Sequence, residues 1–215
     1  MDYAVLIKVG GSMKTISYLI LKRIIDIIGS IIGIVLVSPV LLVTAVLIKL
    51  ESKGRIFFSQ TRVGLHGKEF KIYKFRSMVD GAEALRKSIE HKNEMAGPMF
   101  KVRDDPRITK IGRFIRKTSI DELPQLINVL KGEMSLVGPR PSLPSEVEKF
   151  ESWMLKRLEV KPGLTCYWQV SGRNNICFED WMKLDIDYVN HRNMQLDIKL
   201  IFKTIILLFG DKNAY

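Results

Sequence analysis

The residues of this chain whose types and spacing best suit chemistry are two adjacent carboxylates, Asp121 and Glu122. They follow a basic run and precede Pro124, in a segment that ends at Lys131-Gly132, a common signal for a helix C-terminus. With Asp121 near the N-cap, Pro124 falls in the first helical turn, where its missing N–H costs nothing. The carboxylate then lies beside helix N–H dipoles and arginines, a setting that also suits phosphate.

This pair has two interpretations. An exposed aspartate at this position can attack phosphorus, because aspartyl phosphates are a known covalent strategy. Alternatively, Asp121 is only a helix cap, or Ser119 and Glu122 form a capping box. The residues alone leave both interpretations open.

The charge of the chain is unevenly distributed. The sequence has 34 Lys and Arg against 23 Asp and Glu, a net charge of +11. Residues 52–117 contain 17 basic and 7 acidic residues, so this segment alone contributes +10. Such a concentration indicates an anionic partner, which is nucleic acid, anionic lipid or a phosphorylated substrate, although a solvated lysine surface gives the same count.

The cysteines and histidines give no sign of a disulfide-stabilised protein or of a metal-binding protein. Cys166 and Cys177 form no CxxC pair and no disulfide framework, so we interpret them as reduced cysteines of a cytosol-facing protein. The three histidines have no metal-ligand spacing. Residues 1–13 are typical of a leader or linker, and we place them outside the fold.

A membrane segment follows. Ile24 to Ile48 is almost wholly apolar, and its 25 residues would extend about 37 Å as a helix, enough to cross a bilayer. Ser38-Pro39 interrupts it, and proline tends to kink a helix. Basic residues flank both ends, so no orientation follows from charge. Three interpretations remain open. The segment is a spanning helix, a helix that bends at Ser38-Pro39 and returns to the same face, or an internal helix of a soluble protein.

The remaining sequence predicts the elements that position the carboxylates. Alternating apolar residues over 55–78 indicate two strands around a turn at 65–68. Helical patterns cover 79–92, 108–115, 145–160 and 178–192, and an amphipathic pattern covers 195–209. Two loops hold arginines suited to phosphate, Arg140 between two prolines and Arg173 after Gly172. Either loop is also ordinary turn chemistry.

Together these residues resemble the bacterial sugar transferase family, the monotopic phosphoglycosyl transferases that start glycoconjugate assembly on a polyprenol lipid. The resemblance runs in order through nearly the whole chain. It is carried by Lys22-Arg23-x-x-Asp26, Ser38-Pro39, Tyr73-Lys74-Phe75-Arg76-Ser77-Met78, Asp105-Pro106-Arg107-Ile108-Thr109, the segments 116–126 and 128–141, Pro162-Gly163-Leu164-Thr165 and Ser171-Gly172-Arg173-Asn174.

The resemblance implies an α+β fold, mostly α, with a re-entrant membrane helix over 14–50 that breaks at Ser38 and Pro39. Residues 51–215 would form the catalytic domain, with a small β-hairpin and amphipathic helices, on the cytosolic face of the bacterial cytoplasmic membrane. The chain has no room for the extra N-terminal spans of some relatives, so it resembles a minimal catalytic form.

The resemblance also implies site residues and partners. Asp121 and Glu122 become the catalytic pair, and Mg²⁺ is the expected metal, at Asp121. The residues expected to bind the donor are Arg76, Arg116, Arg140 and Arg173. The substrates would be a UDP-sugar and polyprenol phosphate, with no nucleic acid as partner.

The implied reaction is covalent. Asp121 would attack the sugar-linked phosphorus, release UMP and pass the phosphosugar to polyprenol phosphate, with Glu122 assisting proton transfer or orienting Asp121. This chemistry requires an accessible Asp121 oxygen at a cationic cleft. The competing functions are a basic module that binds anionic lipid or nucleic acid, and a membrane phosphatase acting on polyprenol diphosphates.

Overall fold

The computed structural model describes residues 13–85, 87–93, 102, 104–172 and 176–208. The described chain starts with one long helix, α1 (Met13–Glu51). The predicted leader therefore lies outside the described residues except for Met13, which is the first residue of α1. Among the described residues, one span, Thr15–Glu51 within α1, is long and apolar enough to cross a membrane by length and composition.

A β-hairpin follows α1, as the alternating pattern predicts. β1 (Phe57–Val63) pairs antiparallel with β2 (Glu69–Phe75), in a register that places Phe57 opposite Phe75. The turn between the strands contains His66 and Gly67, both with positive φ, so the chain reverses within a few residues. The predicted strand pair is confirmed.

Six further α-helices, several 3-10 helices and one further strand pair complete the described domain. Three of the helices match predicted patterns: α2 (Lys110–Lys117), α6 (Phe178–His191) and α7 (Met194–Leu208). The short helices are α3 (Leu126–Lys131), α4 (Pro144–Val147) and α5 (Tyr167–Val170). The strands β3 (Ser135–Val137) and β4 (Gly163–Thr165) pair in parallel.

Two predicted helices are wrong as single elements. The stretch 79–92 forms turns and a 3-10 helix, Lys87–Lys92; Ile89 is its one buried residue among those described, which is too little apolar surface to hold a helix. The stretch 145–160 divides into α4 and a 3-10 helix, Met154–Glu159. In the second case Arg157 turns inward to an ion pair, so tertiary contacts override the helical pattern.

Asn128 of α3 connects the helical part of the domain to the hairpin. Its side-chain amide donates to Lys71 O at 2.8 Å, and its Oδ1 accepts from Tyr73 N at 3.1 Å. The amide thus satisfies backbone groups of β2 as a neighbouring strand would. This connection fixes α3, and the segment just before it, against the hairpin.

Both arms of α1 are attached to the domain. In the N-terminal arm, Arg23 donates to Val129 O and Leu130 O, the last carbonyls of α3, at 2.6 and 2.7 Å. In the same arm, Asp26 is buried and accepts from Ser135 Oγ and Leu136 N, both at 2.9 Å. In the C-terminal arm, Ile48 is buried in a core cluster with Phe75 and Ile115.

The β3–β4 contact supports a stability prediction. A Cβ on Gly138, just after β3, would lie 2.3 Å from Lys161 O and 3.0 Å from Gly163 N. Because backbone atoms cannot yield as side chains do, we expect Gly138→Ala to destabilise the domain by about 1–3 kcal/mol. The check is the thermal unfolding midpoint in detergent.

Gly33→Ala is the matched control for this prediction. Its new methyl would meet only the side-chain end of Leu126, at 3.3 Å, within a helix that favours alanine. We expect an unchanged or higher midpoint for the control. Equal midpoints for both variants would mean that the strand contact is not tight.

Candidate active site

A 3-10 helix, Ile120–Gln125, carries the two carboxylates between α2 and α3. Ser119 precedes it with φ 57°, a left-handed conformation that turns the chain sharply after α2. The α-helix itself begins only at Leu126, later than the predicted start near Asp121. Its end at Lys131, followed by Gly132 with φ 81°, is confirmed.

The capping-box interpretation of Ser119 and Glu122 is wrong. Ser119 makes no capping hydrogen bond with its side chain. The Glu122 carboxylate points instead at two cations: its Oε1 is 2.7 Å from Lys74 Nζ and 2.8 Å from Arg140 Nη2, and its Oε2 is 3.2 Å from Arg140 Nη1. Although burial acts to raise it, Arg140 and Lys74 hold the pKa of Glu122 well below its usual range. Glu122 is therefore an ionised anchor for two cations.

Asp121 has the opposite environment. Among the residues that the structure describes, no hydrogen-bond donor or ion-pair partner reaches its carboxylate. Burial raises the pKa of Asp121 to about 6; the charge of Lys74 opposes this shift and the charge of Glu122 adds to it. The site therefore holds one carboxylate committed to cations and one that is not.

The expectation of an exposed Asp121 is wrong. The residue is only 8% exposed, because the 3-10 helix packs against β2. The expectation of a cationic surrounding is met, since Lys74, Arg116 and Arg140 all act on the Asp121 carboxylate. Attack of this oxygen on a substrate would therefore require the side chains around Asp121 to move apart.

Arg140 is held from behind by a buried ion pair. Arg157 Nη2 donates to Arg140 O and to Asp185 Oδ2, both at 2.6 Å, and Arg157 Nη1 bonds Ser142 Oγ. Burial raises the pKa of Asp185 to about 6, against the opposing charge of Arg157. The Arg140 guanidinium also lies 5.9 Å from the centre of the Trp168 ring. These contacts fix the proline-flanked loop that the sequence singles out.

The other predicted arginines have different positions. Arg116, at the end of α2, contributes its charge to the Asp121 site, so the structure brings it together with the pair. Arg76 does not join them: its guanidinium donates to Ser52 O, Ser52 Oγ and Lys53 O, just after α1. There it satisfies carbonyls that a helix end leaves unpaired, which is a structural role rather than substrate binding. Arg173 lies outside the described residues.

Two cations of the site do not stand out as site residues in the sequence. Lys74 lies on β2 and Arg62 on β1, and the hairpin register places both side chains on the same face. Strand alternation alone would have predicted the shared face. It could not have shown that this face meets the Asp121-Glu122 segment, because that contact joins elements far apart in sequence.

The donor set of the site bears on the expected Mg²⁺. The described residues contain no group of three His, Cys, Asp or Glu side chains able to hold a metal. Asp121 is a single uncommitted carboxylate, and Glu122 is already shared by two cations. Mg²⁺ commonly binds one or two carboxylates and completes its shell with substrate phosphates and water. The residues present therefore fit a magnesium ion brought in with a phosphate substrate.

The helical hydrogen bond that Pro39 cannot donate is replaced by a neighbouring side chain. Pro39 has no N–H, so the carbonyl of Val35 loses its helical partner. The hydroxyl of Ser38 donates to Val35 O at 2.8 Å and replaces that bond. The helix remains continuous through Ser38-Pro39, with exposed apolar side chains on both sides of the pair.

Comparison with known proteins gives a consistent family match. The family model "Bacterial sugar transferase" matches residues 17–211. The chain is 52% identical over 196 residues to the galactosyl transferase CpsE of Streptococcus agalactiae, covering 90% of this chain and 43% of the relative. It is 40% identical to the undecaprenyl-phosphate galactose phosphotransferase of Salmonella typhimurium, over 98% of this chain and 45% of that protein.

A shorter relative matches along most of its own length. The exopolysaccharide production protein ExoY of Sinorhizobium fredii is 36% identical over 198 residues, covering 90% of this chain and 88% of the relative. By contrast, this chain spans about half the length of the first two relatives. The segment that the family model matches, residues 17–211, contains every site residue described above.

Proposed function

The chain belongs to the bacterial sugar transferase family, and we propose that it transfers a sugar 1-phosphate from a UDP-sugar to polyprenol phosphate. The single observation that carries this proposal is the contrast between the two carboxylates. Asp121 is uncommitted among the described residues, whereas Glu122 fixes Arg140 and Lys74 beside it. A nucleophile surrounded by fixed cations suits attack on a phosphate, since the cations offset the charge on the transferred group.

In the first step an Asp121 oxygen attacks the sugar-linked phosphorus of the donor. The bond from that phosphorus to the bridging oxygen breaks, and UMP leaves with the bonding electrons. The sugar phosphate remains attached to Asp121 as an acyl phosphate. In the second step a phosphate oxygen of polyprenol phosphate attacks the same phosphorus, the bond to Asp121 breaks, and polyprenol diphosphate sugar leaves. No proton transfer is needed when both nucleophiles are ionised.

Arg140, Lys74 and the expected Mg²⁺ have different parts in these steps. Arg140 offers a planar guanidinium suited to phosphate oxygens, and its position is fixed by Glu122 and Arg157. Lys74 adds a point charge close to Asp121. Mg²⁺, held by Asp121 with the donor diphosphate, would supply charge neutralisation of the departing UMP.

We also propose that α1 enters the cytosolic leaflet and returns to the same face. The domain contacts of α1 extend to Gly33, which faces Leu126, and resume at Leu41, which packs on the core cluster of Ile48. The residues 34–40 between them extend about 10 Å, far less than the roughly 30 Å apolar core of a bilayer. The attachment of both arms to one domain supports a dip in which the continuous helix bends at Ser38-Pro39.

The apolar surface of α7 supports attachment to the same leaflet. Ile198, Phe202, Ile205 and Ile206 are exposed on this helix, where lysines interrupt the apolar pattern. A helix of this composition can lie in the membrane interface. The acceptor lipid would then reach the site from the bilayer without leaving it.

A labelling experiment tests the proposed topology. In a Cys177→Ser background, we expect the cysteine of Thr15→Cys to react with a membrane-impermeant maleimide only after spheroplasts are opened. The exposed Cys177 of the wild-type chain reports the side of the domain and should behave identically. Labelling at position 15 in intact spheroplasts, with Cys177 still protected, would establish a spanning helix.

The reaction is tested by the nucleotide released. Purified protein in detergent, with undecaprenyl phosphate, Mg²⁺ and a panel of UDP-sugars that starts with UDP-galactose, should release UMP and label the lipid in equal amounts. Release of inorganic phosphate instead would indicate a phosphatase. No release with any donor, from protein shown to be folded, would contradict the proposal.

A further inference from the structure

Arg62 is a mostly buried cation with neutral partners. It lies near the end of β1, beside the loop that carries Arg140. Its Nη1 donates to Pro141 O at 3.2 Å and its Nη2 to Gln60 Oε1 at 2.9 Å. Its Nε is buried without a hydrogen-bond partner in the described part of the chain. A guanidinium with five donors is thus satisfied only in part.

No described carboxylate forms an ion pair with Arg62. Burial first, and then the positive charge of Arg140, lower the pKa of Arg62 to about 10, against the weaker pull of Glu146 and Glu122. Two arginines therefore lie close together, and the carboxylate that pairs with one of them is already shared with Lys74.

The carboxylates around Arg62 act on it only from beyond ion-pair distance. Among the described residues these are Glu146, Glu122 and Glu83, and the neighbouring charge with the largest effect on Arg62 is the positive charge of Arg140. A charge that is removed from water is costly unless an anion lies beside it. A phosphate group with its oxygens between two guanidinium groups would satisfy both charge and donors.

We propose that Arg62 binds a substrate phosphate together with Arg140. This inference rests on the proposed function and adds a residue that the site otherwise lacks. The bound phosphate has two sources, the donor diphosphate and the polyprenol phosphate acceptor. The chemistry is the same in both cases, a phosphate oxygen accepting from a guanidinium.

The variants are Arg62→Gln and Arg62→Lys, with Arg113→Gln as the control. Arg113 is an exposed arginine of α2, so its removal changes the net charge equally without touching the site. The Arg62→Gln chain should unfold at the same temperature as wild type, or higher, when no substrate is present. A purely structural Arg62 would instead lower the midpoint and reduce both substrate steps together.

Steady-state kinetics then distinguish the two sources. Loss of a charged hydrogen bond should raise one Michaelis constant by roughly 10- to 100-fold, with a smaller rise for Arg62→Lys. A rise for the UDP-sugar alone assigns Arg62 to the donor, and a rise for undecaprenyl phosphate alone assigns it to the acceptor. Unchanged constants for both substrates would overturn the inference.

A binding measurement separates this inference from the proposed reaction. Inorganic pyrophosphate should raise the unfolding midpoint of the wild-type chain and of Arg113→Gln, and much less that of Arg62→Gln. This result would support the phosphate site even if no UDP-sugar were turned over. An equal shift for all three proteins would overturn the site, whatever the enzyme assay shows.

Discussion

Asp121→Asn should lower UMP release by at least about 10³-fold and abolish the phosphosugar adduct. The amide keeps the shape of the side chain but cannot supply the anionic oxygen that forms the bond to phosphorus. The measurement is UMP release under saturating donor, together with intact mass after acid quench in the absence of acceptor. Wild type should gain the mass of one sugar phosphate on the peptide that contains Asp121.

The same variant should be more stable than wild type at alkaline pH. The pKa of Asp121 is raised by burial from 3.8 to about 6 in the folded state, so the folded state binds the proton more tightly than the unfolded state. The carboxylate therefore costs stability as pH rises from about 4 through 6, by up to about 3 kcal/mol. Asparagine removes this cost at pH 8 but has little effect near pH 4.

Stability and activity together make this prediction specific. Loss of activity with a raised midpoint at pH 8 indicates a residue kept for chemistry, whereas loss of both indicates misfolding. Asp187→Asn, at an exposed position of α6, is the matched control and should change neither. Undiminished transfer by Asp121→Asn would end the proposed covalent mechanism.

Residues close in sequence were the predictable part of the site. Asp121, Glu122 and Arg116 lie within one short segment, and the flanking prolines of Arg140 indicate a fixed guanidinium. The periodic elements were predictable for the same reason, since the hairpin, α2, α6 and α7 have local patterns. Such patterns depend only on neighbours along the chain.

The features of the fold and the site that the sequence does not predict depend on contacts between segments far apart in the chain. Arg76 follows Lys74 by two residues, yet one binds the end of α1 and the other Glu122. The strands β3 and β4 have three residues each, too few for a period, and pair only because Gly138 and Gly163 allow close approach. The burial of Asp121 likewise follows from packing on β2.

Glu122→Gln should lower transfer by about 10- to 100-fold and move the acid limb of the pH profile to lower pH. The rate falls because Arg140 and Lys74 lose the charge that holds them together. The acid limb moves because the charge of Glu122 helps to raise the pKa of Asp121, and its removal leaves both cations free to lower it. The measurement is kcat/KM for the donor between pH 4.5 and 9.

The rate on the pH plateau distinguishes an anchor from a general base, because Gln removes the charge of Glu122 and shifts the acid limb in either case. If Glu122 also accepted a proton in the reaction, the plateau rate would fall by more than about 10²-fold, towards the roughly 10⁴-fold loss that removal of a general base can cause. Glu148→Gln, an exposed glutamate outside the site, controls for the change in net charge. Because the Glu122 carboxylate is already bound to two cations, it is a poor proton acceptor, and its removal should act on Asp121 through charge alone.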